Sequence, residues 1–274
     1  MEEPVTQSPL SANTRGILNP QRGAAHFSLT RHAPSPEVAE RVERHWIVRW
    51  DLRGRSPYTQ EVLPHPCVNL VFAEGEGRVY GIVPAKFSRR LEGEGTGVGT
   101  KFRPGAFAGF VDLPMTRLVG RSLSLTEAFG DDGGRLESEV AAQADLAEQV
   151  AAVERFIAQR MPGPDPGFDL VCEVVADMLA SSPTTKVDEV AARHGLSART
   201  LQRLFRRYIG VGPKWVLQRY RLHEAAERMA AGEAHDLTRL ALELGYFDLA
   251  HFTRHFSRAV GRSPTAFLRA AAAA

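Results

Sequence analysis

Cysteine and long apolar runs are what this sequence has least of. Only Cys67 and Cys172 occur among 274 residues, too few for a disulfide framework or a four-thiolate zinc site. No run of about 18 apolar residues occurs, as a membrane-spanning helix would need. The first 23 residues hold acids and prolines but no apolar stretch of signal-peptide length. We therefore expect a cytoplasmic protein that is neither secreted nor inserted in a membrane.

Acidic residues are absent from one long stretch of the C-terminal half. Residues 197–221 contain seven Lys/Arg and no Asp/Glu. The chain has a net charge of only +2, but residues 184–274 hold 15 Lys/Arg against 8 Asp/Glu, and residues 1–183 hold 19 against 24. Because basic surface neutralises phosphates, this asymmetry favours a polyanion-binding C-terminal part, although a solvated basic face is the structural alternative.

The N-terminal half has the texture of a β-rich domain with flanking helices, which we place at residues 26–161. Runs rich in β-branched and aromatic residues, each bounded by turn formers, are typical of strands; they lie at residues 45–50, 67–72, 78–83 and 99–103. Residues 1–25 show no periodicity and are expected to be a flexible arm.

An amphipathic helix and a break end this domain. Leu146, Val150, Val153 and Ile157 step by four, three and four residues along one helical face, and we favour packing of this stripe on its own domain over a dimer seam. Residues 162–167 contain three prolines and two glycines, so we place a linker there. Residues 168–270 alternate helical segments with glycine-marked turns. The predicted fold class is α+β, with two domains that have separate cores.

A repeat within the helical half carries the functional argument. Residues 187–195 recur as residues 237–245, each with apolar first and fourth positions, an alanine where helices can approach closely, and a closing glycine suited to positive φ. An N-cap former follows in each copy, Ser197 and Asp248. From these caps onward the copies match at Leu201 and Phe252, Arg203 and Arg254, Phe205 and Phe256, Gly210 and Gly261, and Pro213 and Pro264. The pattern predicts two helix-turn-helix units.

Residues 168–270 resemble the AraC/XylS family of bacterial regulators, through stretches 196–207, 240–248, 251–256 and 261–267. The resemblance implies seven helices, with a long helix at about 213–229 joining two units whose recognition helices enter successive major grooves about 34 Å apart. It also implies a sequence-specific regulator of transcription that binds double-stranded DNA, is nucleoid-associated, and responds to a small-molecule effector on its N-terminal domain. RNA polymerase and a second copy of the chain are candidate partners.

The first recognition helix is expected to supply most of the sequence discrimination. If Leu201, Leu204 and Phe205 are buried, the polar residues of the same helix face outward, and the resemblance places base contacts at three of them. Arg suits guanine and Gln suits adenine in the major groove. The candidate DNA-binding residues are Ser197, Arg199, Thr200, Gln202, Arg203, Arg206 and Arg207, with Arg199, Gln202 and Arg203 as the base readers.

The second recognition helix is expected mainly to anchor. Many relatives have glutamine after the aspartate, whereas this chain has Leu249, so one common polar contact is missing. Arg254 is the one base reader that we predict there, and Arg262 is placed near the phosphate backbone. The candidate DNA-binding residues are Ala250, His251, Thr253, Arg254 and Arg258.

The N-terminal domain resembles an uncharacterised domain found upstream of this module in actinobacterial and other regulators, which implies sensing or dimerisation without naming a ligand. Trp46, Lys101 and Arg103 could line a pocket for an anionic effector, or could be ordinary core and surface residues. The glycines of residues 93–99 fit neither phosphate-loop spacing, and we expect a flexible hairpin loop.

Alternatives to a DNA-binding regulator depend on Cys67 or on protein contacts. His65 and Cys67 alone make a poor metal site, so we expect a buried thiol, no metal and no cofactor. An alkyltransferase-type DNA repair fusion would need a reactive cysteine, but the residues after Cys67 lack the His and Arg of such sites, and we expect no enzyme. The third possibility is an architectural protein that binds only partner proteins.

Overall fold

The computed structural model describes residues 15–272 of the chain. Its first half contains nine strands within that range, all paired antiparallel. They are β1 (Ile17–Leu18), β2 (Ser28–His32), β3 (Val42–Asp51), β4 (Tyr58–Val62), β5 (Asn69–Ala73), β6 (Glu76–Tyr80), β7 (Phe87–Leu91), β8 (Glu94–Phe102) and β9 (Ser122–Ser124).

Helices dominate after β9, and two 3-10 turns, Ala106–Gly109 and Met115–Leu118, precede it. The helices are α1 (Pro20–Gly23), α2 (Leu125–Phe129), α3 (Asp131–Ala141), α4 (Leu146–Ala158), α5 (Pro166–Ala180), α6 (Val187–Arg193), α7 (Ala198–Tyr208), α8 (Pro213–Ala230), α9 (Leu237–Glu243), α10 (Leu249–Val260) and α11 (Pro264–Ala272). The expected α+β class is confirmed. Among residues 15–272, no helix is both long enough and apolar enough to cross a membrane.

Two sheets face each other across a cavity. One has the strand order β2-β3-β8-β5-β6-β9 and the other β1-β4-β7, and both contribute lining residues. On the outer face of the larger sheet, Ile47 and Val98 pack against Leu146 and Val150 of α4. The apolar stripe of α4 therefore covers its own domain, as we favoured over a dimer seam.

The two domains do not have separate cores, which corrects that expectation. One apolar cluster runs from Phe102 and Phe107 of the β-rich domain into Phe205 and Tyr208 of α7. Part of the apolar surface of the helical half is therefore buried against the β-rich domain. Arg41, 1% exposed, lies over the Phe168 ring at 3.8 Å and donates to the Gly163 carbonyl at 3.3 Å.

Three sequence-based assignments differ from the structure. Residues 15–25, assigned to the arm, hold β1 and α1, whereas residues 1–14 lie outside the described part. Asp165, placed in the linker, caps α5, and Pro166 lies in the first turn of this helix. Proline is tolerated there because the amide that it lacks would have no acceptor within the helix. The glycine-rich residues expected to form a hairpin loop instead belong largely to β8.

Candidate DNA-binding interface

The two helix-turn-helix units are built by the same local interactions. In the first unit Leu196 N donates to Ala191 O at 2.8 Å, and in the second Tyr246 N donates to Ala241 O at 3.0 Å. The intervening glycines have φ of +65° and +74°, a left-handed conformation that side chains disfavour. The repeated sequence therefore produces a repeated turn, from α6 into α7 and from α9 into α10.

Helix α7 is the first recognition helix. Ser197 caps it, its Oγ accepting from Thr200 N at 3.1 Å, and Leu201 and Phe205 are fully buried beneath it. Thr200 is half-buried and its hydroxyl is bonded to Ser197 Oγ at 2.9 Å, which ties it to the cap. The other predicted contacts of this helix are exposed: Arg199, Gln202, Arg203, Arg206 and Arg207.

Helix α10 is the second recognition helix. Asp248 Oδ1 accepts from His251 N at 2.6 Å, and the helix buries Phe252 and Phe256. Leu249, the departure from the common glutamine, packs on the apolar cluster of this unit. Of the predicted contacts, Thr253 is half-buried and the rest are exposed: Ala250, His251, Arg254 and Arg258.

The exposed arginines of both recognition helices carry uncompensated charge. Within residues 15–272, no carboxylate forms an ion pair with Arg199, Arg203, Arg254 or Arg258. Such side chains are available for phosphates and base edges. The geometry thus separates a basic outer face from the buried apolar stripe.

Two arginines of the acid-free stretch are structural. Arg219, 2% exposed, donates to the carbonyls of Pro64 at 3.3 Å and Val83 at 3.2 Å, and burial lowers its pKa to about 10. Arg221 donates to the Thr185 carbonyl at 3.0 Å and the Gly245 carbonyl at 3.4 Å. Arg221 therefore joins both units to α8, and Arg219 fastens α8 to the β-rich domain.

The β-rich domain also reaches the far ends of both recognition helices. Arg206 and Arg207 line a crevice between α7 and the second 3-10 turn, together with Asp112 and Asp165. The Tyr208 hydroxyl donates a hydrogen bond to the Asp165 carboxylate. Desolvation raises the pKa of this carboxyl, but the hydrogen bonds from Tyr208 and from backbone amides outweigh it, so the pKa lies below its usual range. These contacts leave the N-terminal half of α7 the freer end.

Arg262, which we expected near the phosphate backbone, is held in the structure by the β-rich domain. It pairs with Glu61 of β4 at 3.2 Å, and Lys86 pairs with the same carboxylate. Lys86 N also donates to Ala259 O at 2.7 Å. The C-terminal end of α10 is thereby fixed to the β-rich domain.

Sequence reasoning passed over Phe247, which is 87% exposed in the turn before α10. It precedes the Asp248 cap, so it lies at the end of α10 that recognition helices present to DNA. An exposed aromatic ring can contact a thymine methyl. The sequence gives little indication of this exposure, because an aromatic residue next to Tyr246 is expected to lie in the core.

A helix-turn-helix domain model matches residues 172–270, the region in which the repeat and the two capped helices lie. The C-terminal domain is an AraC-type helix-turn-helix domain. A domain of this type supports DNA binding in the regulation of transcription. A second model, for a domain of unknown function, matches residues 30–124.

Solved structures similar to the AraC-type domain include an AraC-type transcriptional regulator from Chromobacterium violaceum, 24% identical over 38% of this chain and 93% of that one, with a TM-score of 0.35. The C-terminal domain of AraT from Geobacillus stearothermophilus is 21% identical over 39% and 86%, with a TM-score of 0.35. ToxT from Vibrio cholerae is 12% identical over 89% and 98%, with a TM-score of 0.40. No curated protein matches the chain.

The chemistry of Cys67 does not favour the repair-enzyme alternative to an AraC-type regulator. The thiol is 3% exposed, and burial raises its pKa to about 11. A thiol with this pKa is protonated at neutral pH and is a poor nucleophile. No group of three or more His, Cys, Asp or Glu residues within 15–272 is arranged to hold a metal.

Proposed function

We propose that the chain regulates transcription by reading two adjacent major grooves of double-stranded DNA through α7 and α10, under the control of a small-molecule effector on its N-terminal domain. The observation that carries the proposal is the pair of N-capped helices with unpaired, exposed arginines and a buried apolar underside. Their joint attachment to α8 through Arg221 supports a single binding unit.

The two helices are assigned unequal roles. Helix α7 presents Arg199, Gln202 and Arg203 on one exposed face, which suits readout of guanine and adenine. Helix α10 presents Arg254 as its single long polar side chain before the last turn. We assign sequence discrimination mainly to α7 and anchoring mainly to α10. RNA polymerase and a second copy of the chain are the further partners we propose for this regulator.

Binding measurements on single-arginine variants test this assignment. A bound genomic site would first be found by footprinting, with two protected major-groove segments expected about 10 base pairs apart. Arg203→Ala should weaken binding to the matched site by about 10-fold or more, and should narrow the gap between matched and mismatched sites, because a bidentate base contact is lost. Arg90→Ala, which removes an exposed charge from β7, is the matched control.

If Arg203→Ala weakened matched and mismatched sites equally, Arg203 would be a phosphate contact and not a reader. A single protected segment would overturn the two-groove arrangement. Binding that did not weaken with rising salt would favour the architectural, protein-binding alternative, since no counterions would then be released.

A further inference from the structure

The cavity between the two sheets has a volume of about 270 Å³. Its floor is the inner face of the six-stranded sheet, and residues of β1, β4 and β7 close it from the other side. Of the residues that the structure describes, no aspartate or glutamate lines it, whereas five basic residues do: Arg15, Arg31, Arg44, Arg89 and Lys101. This composition is far from that of an ordinary apolar core.

Strand register sorts the floor into a basic end and an apolar end. Arg44, Lys101 and Asn69 are direct cross-strand partners on β3, β8 and β5, and such partners share one face of a sheet. The next rows carry Trp46 with Val71, then Val48 with Ala73, and then Trp50. The polarity of the floor therefore falls steadily along β3.

Among residues 15–272, one positive charge at the basic end has no carboxylate of its own. Arg44 and Lys101 both pair with Glu43, at 3.0 and 2.8 Å, and Lys101 is only 6% exposed. Burial holds the pKa of nearby His65 well below its usual value, and that of Cys67 near 11. Both neighbours are therefore neutral at pH 7, so His65 adds no positive charge and Cys67 supplies no thiolate to offset the excess cation.

The apolar end owes its space to glycines of β8. A Cβ at Gly95 or Gly99 would overlap the rings of Trp50 and Trp46, which lie flat across these positions. At Gly97, between them, a Cβ would meet no atom closer than 3.8 Å. Gly97 thus leaves the middle of the floor open, while the two indoles form an aromatic surface beside it.

We propose that this cavity binds one small apolar anion, with its carboxylate at Lys101 and Arg44 and its aromatic or branched body over Gly97 and Trp46. The proposal rests on the proposed function in that it names the chemical class of the effector. A single carboxylate would supply the missing partner for the buried cation, and a charge-assisted bond in a low-dielectric site is strong.

The same cavity wall touches the helix that joins the two DNA-binding units. Arg15 lines the cavity and pairs with Glu224 and Glu227 of α8, at 3.1 and 3.0 Å. His65 lines it too, and its ring meets that of His223 edge-on at 4.3 Å. Two of the carbonyls that accept from Arg219, those of Pro64 and Val83, belong to further wall residues. A ligand that shifts this wall therefore acts on α8 directly.

Calorimetric titration of the full chain with 4-tert-butylbenzoate and its neutral counterpart 4-tert-butylbenzamide tests the proposal. The acid should bind at one site, at least about 10-fold more tightly than the amide, because only the acid satisfies the cation. Lys101→Met should abolish this preference, because the charges of Arg44 and Glu43 then cancel and no excess cation remains for the carboxylate. Equal binding of acid and amide to the wild type, or no binding of the acid at about 1 mM, would overturn the proposal.

A second variant tests the location without removing a charge. Gly97→Val fills the open floor with a residue that suits a strand, and should weaken binding of the acid at least about 10-fold with no loss of thermal stability. Thr96→Val, on the exposed outer face of the same strand, is the matched control. Unchanged affinity in Gly97→Val would place the ligand elsewhere and overturn the proposed site.

DNA-binding measurements separate this proposal from the proposed function. If the acid binds and shifts DNA affinity in the wild type but not in Gly97→Val, both stand. If it binds and leaves DNA affinity unchanged, the site is supported and effector control by this ligand class is overturned. If DNA binds normally and the acid does not bind at all, the ligand proposal alone fails.

Discussion

Single residues show how a buried polar group can connect the two domains. Arg219 donates hydrogen bonds to main-chain carbonyls of the β-rich domain, and its guanidinium lies 4.6 Å from the centre of the Trp215 ring. Its charge is stabilised by peptide dipoles and an aromatic face, with no carboxylate bonded to it among the described residues. An arginine in a stretch without acids can thus be part of the interior.

Buried histidines make the stability of the fold sensitive to acid. Burial lowers the pKa of His223 to about 3, so its ring stays neutral in the folded chain at pH 5, whereas the unfolded chain takes up a proton below about pH 6.5. The unfolded state then binds more protons, and the stability falls as the pH drops below 6.5, by up to about 1.4 kcal/mol per pH unit from this residue.

We therefore expect the free energy of unfolding, measured with urea, to decrease between pH 6.5 and 5, and the slope to be shallower in His223→Gln. His235→Gln, at an exposed position, serves as the control. A slope that His223→Gln leaves unchanged would contradict the assignment of this pH dependence to the buried ring.

Whether a residue's role was predictable depended on how far away its partner lies in sequence. Ser197 and Asp248 each accept a hydrogen bond from the amide three residues ahead. Their roles as helix caps therefore follow from the local sequence pattern. Arg262 pairs with Glu61, 201 residues away, and no local signal points to this partner. Of the three residues considered for an effector pocket, Trp46 and Lys101 line the cavity. Arg103, two residues after Lys101, is exposed and donates to the Ala39 carbonyl.

At the scale of elements, each recognition helix depends on its cap. Asp248→Ala should lower the free energy of unfolding by about 1 kcal/mol, because the His251 amide loses its acceptor. Asp248→Asn should stay close to the wild type, since asparagine caps equally well. Urea denaturation of the three proteins gives the comparison, and an alanine variant as stable as the asparagine variant would show that the cap contributes nothing.

Helices were easier to predict than strands for a physical reason. The period of apolar residues marks α4 and the helix-turn-helix units from sequence alone. Strand β8 holds Gly95, Gly97 and Gly99, and glycine disfavours strands, so the pattern predicts a loop. What stabilises β8 is pairing with β3 and β5 and cover from two indoles, which no local window contains.

At the scale of the whole molecule, the shared apolar cluster makes the domains interdependent. A fragment of residues 165–274 would expose Val171, Phe205 and Tyr208, which in the full chain pack in one cluster with Phe107. We expect this fragment to unfold at a lower temperature than the full chain, or to aggregate, when both are followed by circular dichroism. A fragment that melts at the full chain's temperature would contradict the dependence.

The open floor at Gly97 has a consequence for how such a regulator could diversify. Position 97 accepts a side chain without disturbing a neighbour, whereas positions 95 and 99 change only together with the indole that covers each. Ligand preference could therefore change at one independent position, 97, and at two coupled pairs, 95 with 50 and 99 with 46. None of these positions lies in a recognition helix. With the cavity as the proposed effector site, a combinatorial library confined to these five positions is expected to change which ligand binds and to leave the DNA sequence preference unchanged.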